Sequence, residues 1–191
     1  MDKQHLRTIF RKKRDNIPPK KRREYSNTIC RIFNSVFYFK KNAAVVCYLH
    51  TQSEVSTSVI IRKLLASGCR VYAPCVVNGK IKPRRITSKT IFKKGPYGIK
   101  EPVSGRSCIS PIEADAVIMP GIAFDPKGNR LGFGAGYFDV FLSRLRKNTL
   151  KTALAFNCQL APKIPKEKHD IKTDFIITEK GIIDCGKKIK P

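Results

Sequence analysis

The chain has 191 residues, 41% of them apolar, enough for one core of ordinary size, and no apolar run approaches the ~20 residues that a membrane helix needs. Lys and Arg outnumber Asp and Glu by 39 to 14, for a net charge of +25; this basic balance points to polyanionic partners. Seven cysteines, odd in number and without C-x-x-C spacing, speak against a disulfide framework or a clustered zinc site and fit the reduced thiols of a cytoplasmic protein. In chain order, Asp2 to Arg14 predicts a helix with Leu6, Ile9 and Phe10 on one face. Pro18-Pro19 breaks it and opens a second helix from about Lys20 to Tyr38. Ala43 to Leu49 is a continuous, β-branched strand of the buried type. Ser56 or Thr57 is placed to cap a third helix, which Gly68 ends. Arg70 to Cys75 predicts a second strand, closed by Pro74.

Val76 to Ser110 is the least regular part, rich in Gly and Pro. It is expected to hold one or two short strands and a loop over the site. Ala114 to Met119 is the next parallel strand. A helix then runs from Tyr137 to about Lys147, and Thr152 to Phe156 and Asp174 to Thr178 are further strands. Strands alternating with helices predict an α/β fold: one domain over residues 1–191, with an open, parallel or mixed central sheet and helices on both faces, Rossmann-like in plan. In such sheets ligands bind beyond the carboxyl ends of the strands. There is no internal repeat or linker. The N-terminal stretch lacks the apolar core of a secretory signal, and its Asp2 and Asp15 argue for a part of the mature fold over a transit peptide.

The most informative stretch is Pro120 to Asp139, PGIAFDPKGNRLGFGAGYFD. Arg130, Gly132, Gly134 and Gly136 follow a strand and precede a helix. Glycines let the backbone reach positive φ and approach an anion closely, and the unpaired N–H groups of a helix start favour a phosphate. Asp139 lies in the first helical turn, where a carboxylate is favoured and can hold Mg²⁺ beside phosphates. No Lys-Ser or Lys-Thr closes the loop, so it is not a P-loop, and the third glycine falls one position early for G-x-G-x-x-G. The bland alternative is a hairpin or a left-handed turn; Arg130 and the bracketing Asp125 and Asp139 favour a nucleotide with its metal. Asp125 precedes Pro126, which favours turn nucleation over catalysis. Glu54 follows a strand end and by itself reads as a surface residue. Lys3 and Arg7 stand one helical turn apart and can face one phosphate, although a solvated helix face is the ordinary reading. His169 reads as an exposed loop residue.

The whole string closely resembles the signature of the 5-formyltetrahydrofolate cyclo-ligase (methenyltetrahydrofolate synthetase) family. Other matches follow in family order: Lys3 and Arg7 as a Lys-x-x-x-Arg pair, Tyr48 to Glu54 as a strand ending in a loop with a glutamate, Tyr97 ahead of Glu101-Pro102, and Ile164-Pro165 followed by His169-Asp170. The resemblance implies that ATP and 5-formyltetrahydrofolate become 5,10-methenyltetrahydrofolate, ADP and phosphate, with Mg²⁺ as cofactor. It implies ATP contacts from Lys3, Arg7, Arg130, Leu131, Gly132, Phe133, Gly134, Ala135, Gly136 and Tyr137. It implies folate contacts from Arg7, Leu49, Glu54, Tyr97, Gly134 and Tyr137, catalytic roles for Arg130 and Tyr137, and metal ligation by Asp139 and Asp170. Two positions depart from the family pattern: Ala135, where Gly or Lys is usual, and Phe138, where Tyr is usual. A Lys there would neutralise phosphate charge, which Ala135 cannot do.

The high positive charge leaves a second class open, a basic nucleic-acid-binding module, and Ala135 leaves a third, a nucleotide-binding relative without turnover. Non-specific nucleic-acid binding at low salt follows from the charge in any case. The same charge would steer ATP and a polyglutamylated folate toward the site. A monomer with no membrane partner is expected.

Overall fold

Alternate side chains of one buried strand serve two cores. Val45 and Cys47 enter one apolar cluster and Ala44 and Val46 the other, as a period of two requires when both faces of a sheet are covered. The computed structural model describes residues 2–51, 53–95, 100–103, 108–167 and 169–186. In chain order its helices and strands are α1 (Lys3–Asp15), α2 (Pro19–Val36), β1 (Ala44–Cys47), α3 (Ser58–Ala66), β2 (Arg70–Val77), β3 (Lys80–Ile86), β4 (Phe92–Lys94), β5 (Lys100–Pro102), β6 (Ala116–Met119), β7 (Ala123–Phe124), β8 (Arg130–Leu131), α4 (Tyr137–Leu142), β9 (Leu150–Leu154), β10 (Phe175–Thr178) and β11 (Gly181–Asp184).

Seven strands form one sheet in the order β11-β10-β9-β6-β1-β2-β3. The inner five pair in parallel, and β3 and β11 close the edges antiparallel. From β1 the chain builds first toward β2 and then, from β6 onward, in the other direction. The order therefore reverses between β1 and β6, and in open α/β sheets the ligand crevice opens at this point. α2 and α3 cover one face through Ile29, Phe33, Ile60 and Leu64. α4 covers the other through Phe141 and Leu142. α1 lies off both faces: Leu6 and Phe10 pack with Ile122, Ala123, Leu131, Ala161 and Ile164 in a third cluster. That packing sets α1 against the β7–β8 hairpin (paired Ala123 with Leu131 and Phe124 with Arg130), immediately beyond β6. Among the described residues no helix is long and apolar enough to cross a membrane.

The architecture is the α/β plan expected, with local corrections. β2 does not close at Pro74 but runs on to Val77, with Pro74 opposite Pro83 of β3; neither proline can donate to the other, which suits a pair whose N–H positions face away from the ladder. The turn is Asn78-Gly79, with φ of 50° and 68°, the pair of positive-φ residues that a tight hairpin favours. The helix after Tyr137 stops at Leu142 instead of Lys147. Arg144 and Leu145 bond back three residues, to Phe141 and Leu142, so the apolar periodicity continues through tightened turns after the helix has ended. Thr57 stands at the start of α3 but does not cap it; its hydroxyl donates to the Tyr48 carbonyl at 2.9 Å. The strand expected at Thr152 to Phe156 is Leu150–Leu154, and β11 was not foreseen.

Candidate active site

The glycine-rich string does not run directly from strand to loop to helix. It first folds into the β7–β8 hairpin, whose turn is built on Asp125. That side chain is 1% exposed. Its carboxylate accepts the N–H groups of Lys127, Asn129 and Ile164 and the Asn129 side-chain amide at 2.8–3.0 Å. Asp125 is thus a turn residue, as the Asp-Pro pair implied. At Gly121 a Cβ would stand 2.5 Å from the Phe124 ring, so only glycine lets the chain turn in from β6.

The hairpin delivers Arg130 under the glycine loop. Arg130 is 8% exposed, its Nη2 donates to Asp139 Oδ1 at 2.7 Å, and its guanidinium lies 5.5 Å from the centroid of the Phe138 ring. This contact uses the aromatic face, so Phe serves at position 138 where the family usually has Tyr. Leu131 points into the third core cluster. Gly134 and Gly136 have φ of 114° and 69°, conformations that glycine adopts at little cost. Phe133 and Ala135 are exposed, and Tyr137, half-buried, opens α4 and packs on the second core cluster. With six residues, α4 has little dipole beyond its first turn, so an anion at this loop would depend on the loop's own N–H groups and on nearby cations.

α1 supplies those cations. Arg7 Nε donates to the Gly132 carbonyl at 3.0 Å, and Nη1 to Gln4 Oε1 at 3.2 Å. A Cβ at Gly134 would lie 3.7 Å from the Arg7 guanidinium carbon. Lys3, one turn earlier, bonds Asp170 at 2.9 Å and Glu167 at 2.8 Å. Burial lowers the pKa of Lys3, but the two carboxylates more than offset it and the net shift is upward. Burial likewise opposes ionisation of Asp170, and the Glu167 N–H and Lys3 outweigh it, so its pKa falls.

The second half of the site lies beyond β1. Glu54 is buried, 7% exposed, not the surface residue that its loop position suggested. Its carboxylate accepts the Thr51 N–H at 2.8 Å. Burial pushes its pKa up against the opposing pull of Thr51 and Arg14. Leu49 is half-buried against the first core cluster. His50 Nδ1 accepts the Thr57 N–H at 3.4 Å; burial and the charge of Lys100 on β5 lower its pKa. Tyr97 lies outside the described residues.

The structure therefore joins Lys3, Arg7, Arg130, Gly132, Gly134, Asp139 and Asp170 around α1 and the glycine loop, with Glu54 and Leu49 beyond the neighbouring strand. α1 spans both halves. Arg14, buried in its last turn, acts on Glu54, two helical turns or about 10 Å along the axis from Arg7. In the sequence Arg14 is one of four consecutive basic residues, Arg11 to Arg14, which reads as a solvated surface. The signal was its position on the same apolar side of the helix as Phe10.

No group of three or more His, Cys, Asp or Glu side chains among the described residues is placed to hold a metal. Asp139 and Asp170 are separately paired with Arg130 and Lys3, with side chains 19% and 16% exposed. Such hard, partly open oxygen donors suit Mg²⁺ when it keeps its waters and shares phosphate oxygens. They fit a cation that arrives with a nucleotide better than a resident one.

A model of the 5-formyltetrahydrofolate cyclo-ligase family matches residues 1–179. The chain belongs to that family. It is 31% identical over 153 residues to the 5-formyltetrahydrofolate cyclo-ligase of Mus musculus, covering 74% of this chain and 75% of the mouse protein. It is 32% identical over 183 residues to that of Saccharomyces cerevisiae, covering 83% and 86%. The solution structure of Aquifex aeolicus 5,10-methenyltetrahydrofolate synthetase superposes with a TM-score of 0.86 at 31% identity, over 100% of this chain and 96% of the other. The Mycoplasma pneumoniae synthetase, at 22% identity and a TM-score of 0.75 over 94% and 99%, shares the fold. Family membership makes the chain a ligase acting in folate chemistry, and the glycine loop and α1 lie within the matched span.

Proposed function

We propose that the protein closes 5-formyltetrahydrofolate to 5,10-methenyltetrahydrofolate at the expense of ATP. The observation that carries this reading is the meeting of α1 with the glycine loop: Arg7 bonds Gly132 across 125 residues of sequence, beside a buried Arg130 and at the sheet's switch point. That arrangement suits a triphosphate. The formyl oxygen attacks the γ-phosphorus, an O–P bond forms and the bond to ADP breaks. N10 then attacks the activated carbon and gives up its proton, and phosphate leaves with the former formyl oxygen. An amide-like oxygen leaves poorly until it is phosphorylated, and phosphoryl transfer needs positioning and charge neutralisation above all.

In this reading Lys3, Arg7 and Arg130 neutralise phosphate charge and, with Lys3 and Arg7 on the helix and Arg130 beneath the loop, cover for the missing Lys at Ala135. The main chain from Gly132 to Gly136 wraps the phosphates, and Tyr137 borders the reacting group. Glu54, Leu49 and Tyr97 take the folate. Asp139 and Asp170 hold Mg²⁺, which neutralises phosphate charge when bound. Seven free cysteines fit a reducing, cytoplasmic setting. The net charge of +25 favours a polyglutamylated folate and would also attract nucleic acid at low salt.

The test is absorbance at the methenyltetrahydrofolate band with 5-formyltetrahydrofolate and MgATP, against controls without ATP, without Mg²⁺ and with Asp139→Ala. An ATP-dependent rise that the substitution abolishes is expected. No rise from folded protein that still binds ATP would overturn the assignment.

A further inference from the structure

Arg130 and Asp139 hold each other in a way the proposed reaction does not require. An arginine side chain only 4% exposed needs a counter-charge, and Asp139 supplies it at 2.7 Å. Phe138 flanks the guanidinium at 5.5 Å, and a Cβ at Gly132 would stand 3.1 Å from Nη1, so the group is confined directly beneath the loop. Its Nε has no partner among the described residues, so the arginine is only partly satisfied where it lies. Yet Arg130 lies against Gly132 at the start of the phosphate-binding loop, and Asp139 is a carboxylate offered to a metal. While the pair is closed, the charge of each is spent on the other.

We propose that the Arg130–Asp139 pair is a latch that couples nucleotide binding to the divalent cation. This inference rests on the reading of Asp139 as a ligand of that cation. With the carboxylate engaged elsewhere, Arg130 loses its counter-charge but stays confined by Phe138 and Gly132. The anion then within its reach is the phosphate above the loop. Nucleotide that comes without the cation meets an Arg130 already committed, and a cation that comes without nucleotide meets a neutralised Asp139. Each ligand thus raises the affinity for the other through one side chain, and by linkage the effect is reciprocal.

The experiment is calorimetric titration of ATP into wild type, Asp139→Asn, Arg130→Gln and the double variant, in EDTA and in Mg²⁺, with thermal unfolding as the check on folding. In EDTA, Asp139→Asn frees Arg130 and tightens ATP binding by about tenfold, the scale of one charge-assisted hydrogen bond. In Mg²⁺ the same substitution weakens binding, so the sign reverses. In the Arg130→Gln background the gain in EDTA disappears. No gain in EDTA overturns the latch. So does a gain that persists without Arg130, because that is the simple removal of repulsion between carboxylate and phosphate. A gain through Arg130 with MgATP binding unchanged overturns instead the reading of Asp139 as the metal's ligand. Should Asp139→Asn fail to fold, Arg130→Gln carries the test: its freed carboxylate binds Mn²⁺ without nucleotide about tenfold more tightly than wild type, read by electron paramagnetic resonance. Unchanged Mn²⁺ affinity overturns the latch.

Discussion

Replacing Asp125 by Ala should cost about 3 kcal/mol of folding stability, because four donors lose one acceptor group. The carboxylate takes Lys127 N–H and Asn129 N–H on Oδ1, and Asn129 Nδ2 and Ile164 N–H on Oδ2. The bond to Ile164 is buried, and an orphaned amide there costs about 1–3 kcal/mol. The other three donors are partly open, and water replaces each bond at a loss of roughly 0.5 kcal/mol. For a domain of this size, 3 kcal/mol corresponds to a fall in Tm of about 6–12 °C. Asp125→Asn keeps one acceptor oxygen and should fall between the two. The assay is thermal unfolding at pH 7, with turnover measured per folded molecule well below the transition. Because β8 carries Arg130, activity should be lost together with the fold and not before it. A Tm within 2 °C of wild type would refute the hydrogen-bond reasoning. Normal stability with activity gone would mean that Asp125 takes part in the chemistry.

Two further outcomes follow from the site. Burial raises the pKa of Glu54, so the protonated form is favoured in the fold and this residue's contribution to stability declines as pH rises above the ordinary carboxylate range. Glu54→Gln should therefore gain stability relative to wild type between pH 4.5 and 7.5 in denaturant unfolding while raising KM for the folate more than for ATP; a constant difference across that range would contradict the burial reasoning. Gly136, at φ 69° and with open space where an added Cβ would stand, should accept Asn at little cost, whereas Gly136→Val should lose about 1–2 kcal/mol to left-handed strain; equal Tm for the two variants would refute it.

Much of the architecture was legible because its signals are local. The β-branched runs of β1 and β6, the Pro18-Pro19 break and the helix periodicities each depend on neighbours within one or two turns. Asp125 was legible as a turn residue for the same reason. The misreadings arose where local signals were outvoted. Pro74 by itself predicts a strand end, but its missing N–H costs nothing opposite Pro83. Ser56 and Thr57 are both suited to cap α3, but the Thr57 hydroxyl bonds the Tyr48 carbonyl instead. Glu54 read as a surface residue because the sequence does not reveal which elements fold over a loop.

The sequence by itself determined the class of fold, the family, and the residue types gathered in the glycine-rich string, since these rest on periodicity and on a contiguous motif. Tertiary structure decided which charges neutralise one another. Lys3 meets Asp170 across 167 residues, and Arg7 bonds the uncharged Gly132 carbonyl across 125, separations over which no local pattern carries information. The strand order that brings β1 beside β6, and the apolar packing of Leu6 and Phe10 that lays α1 across the glycine loop, create those pairs. They also bury Arg130 beside Asp139, where the low local dielectric strengthens the pairing of the two charges.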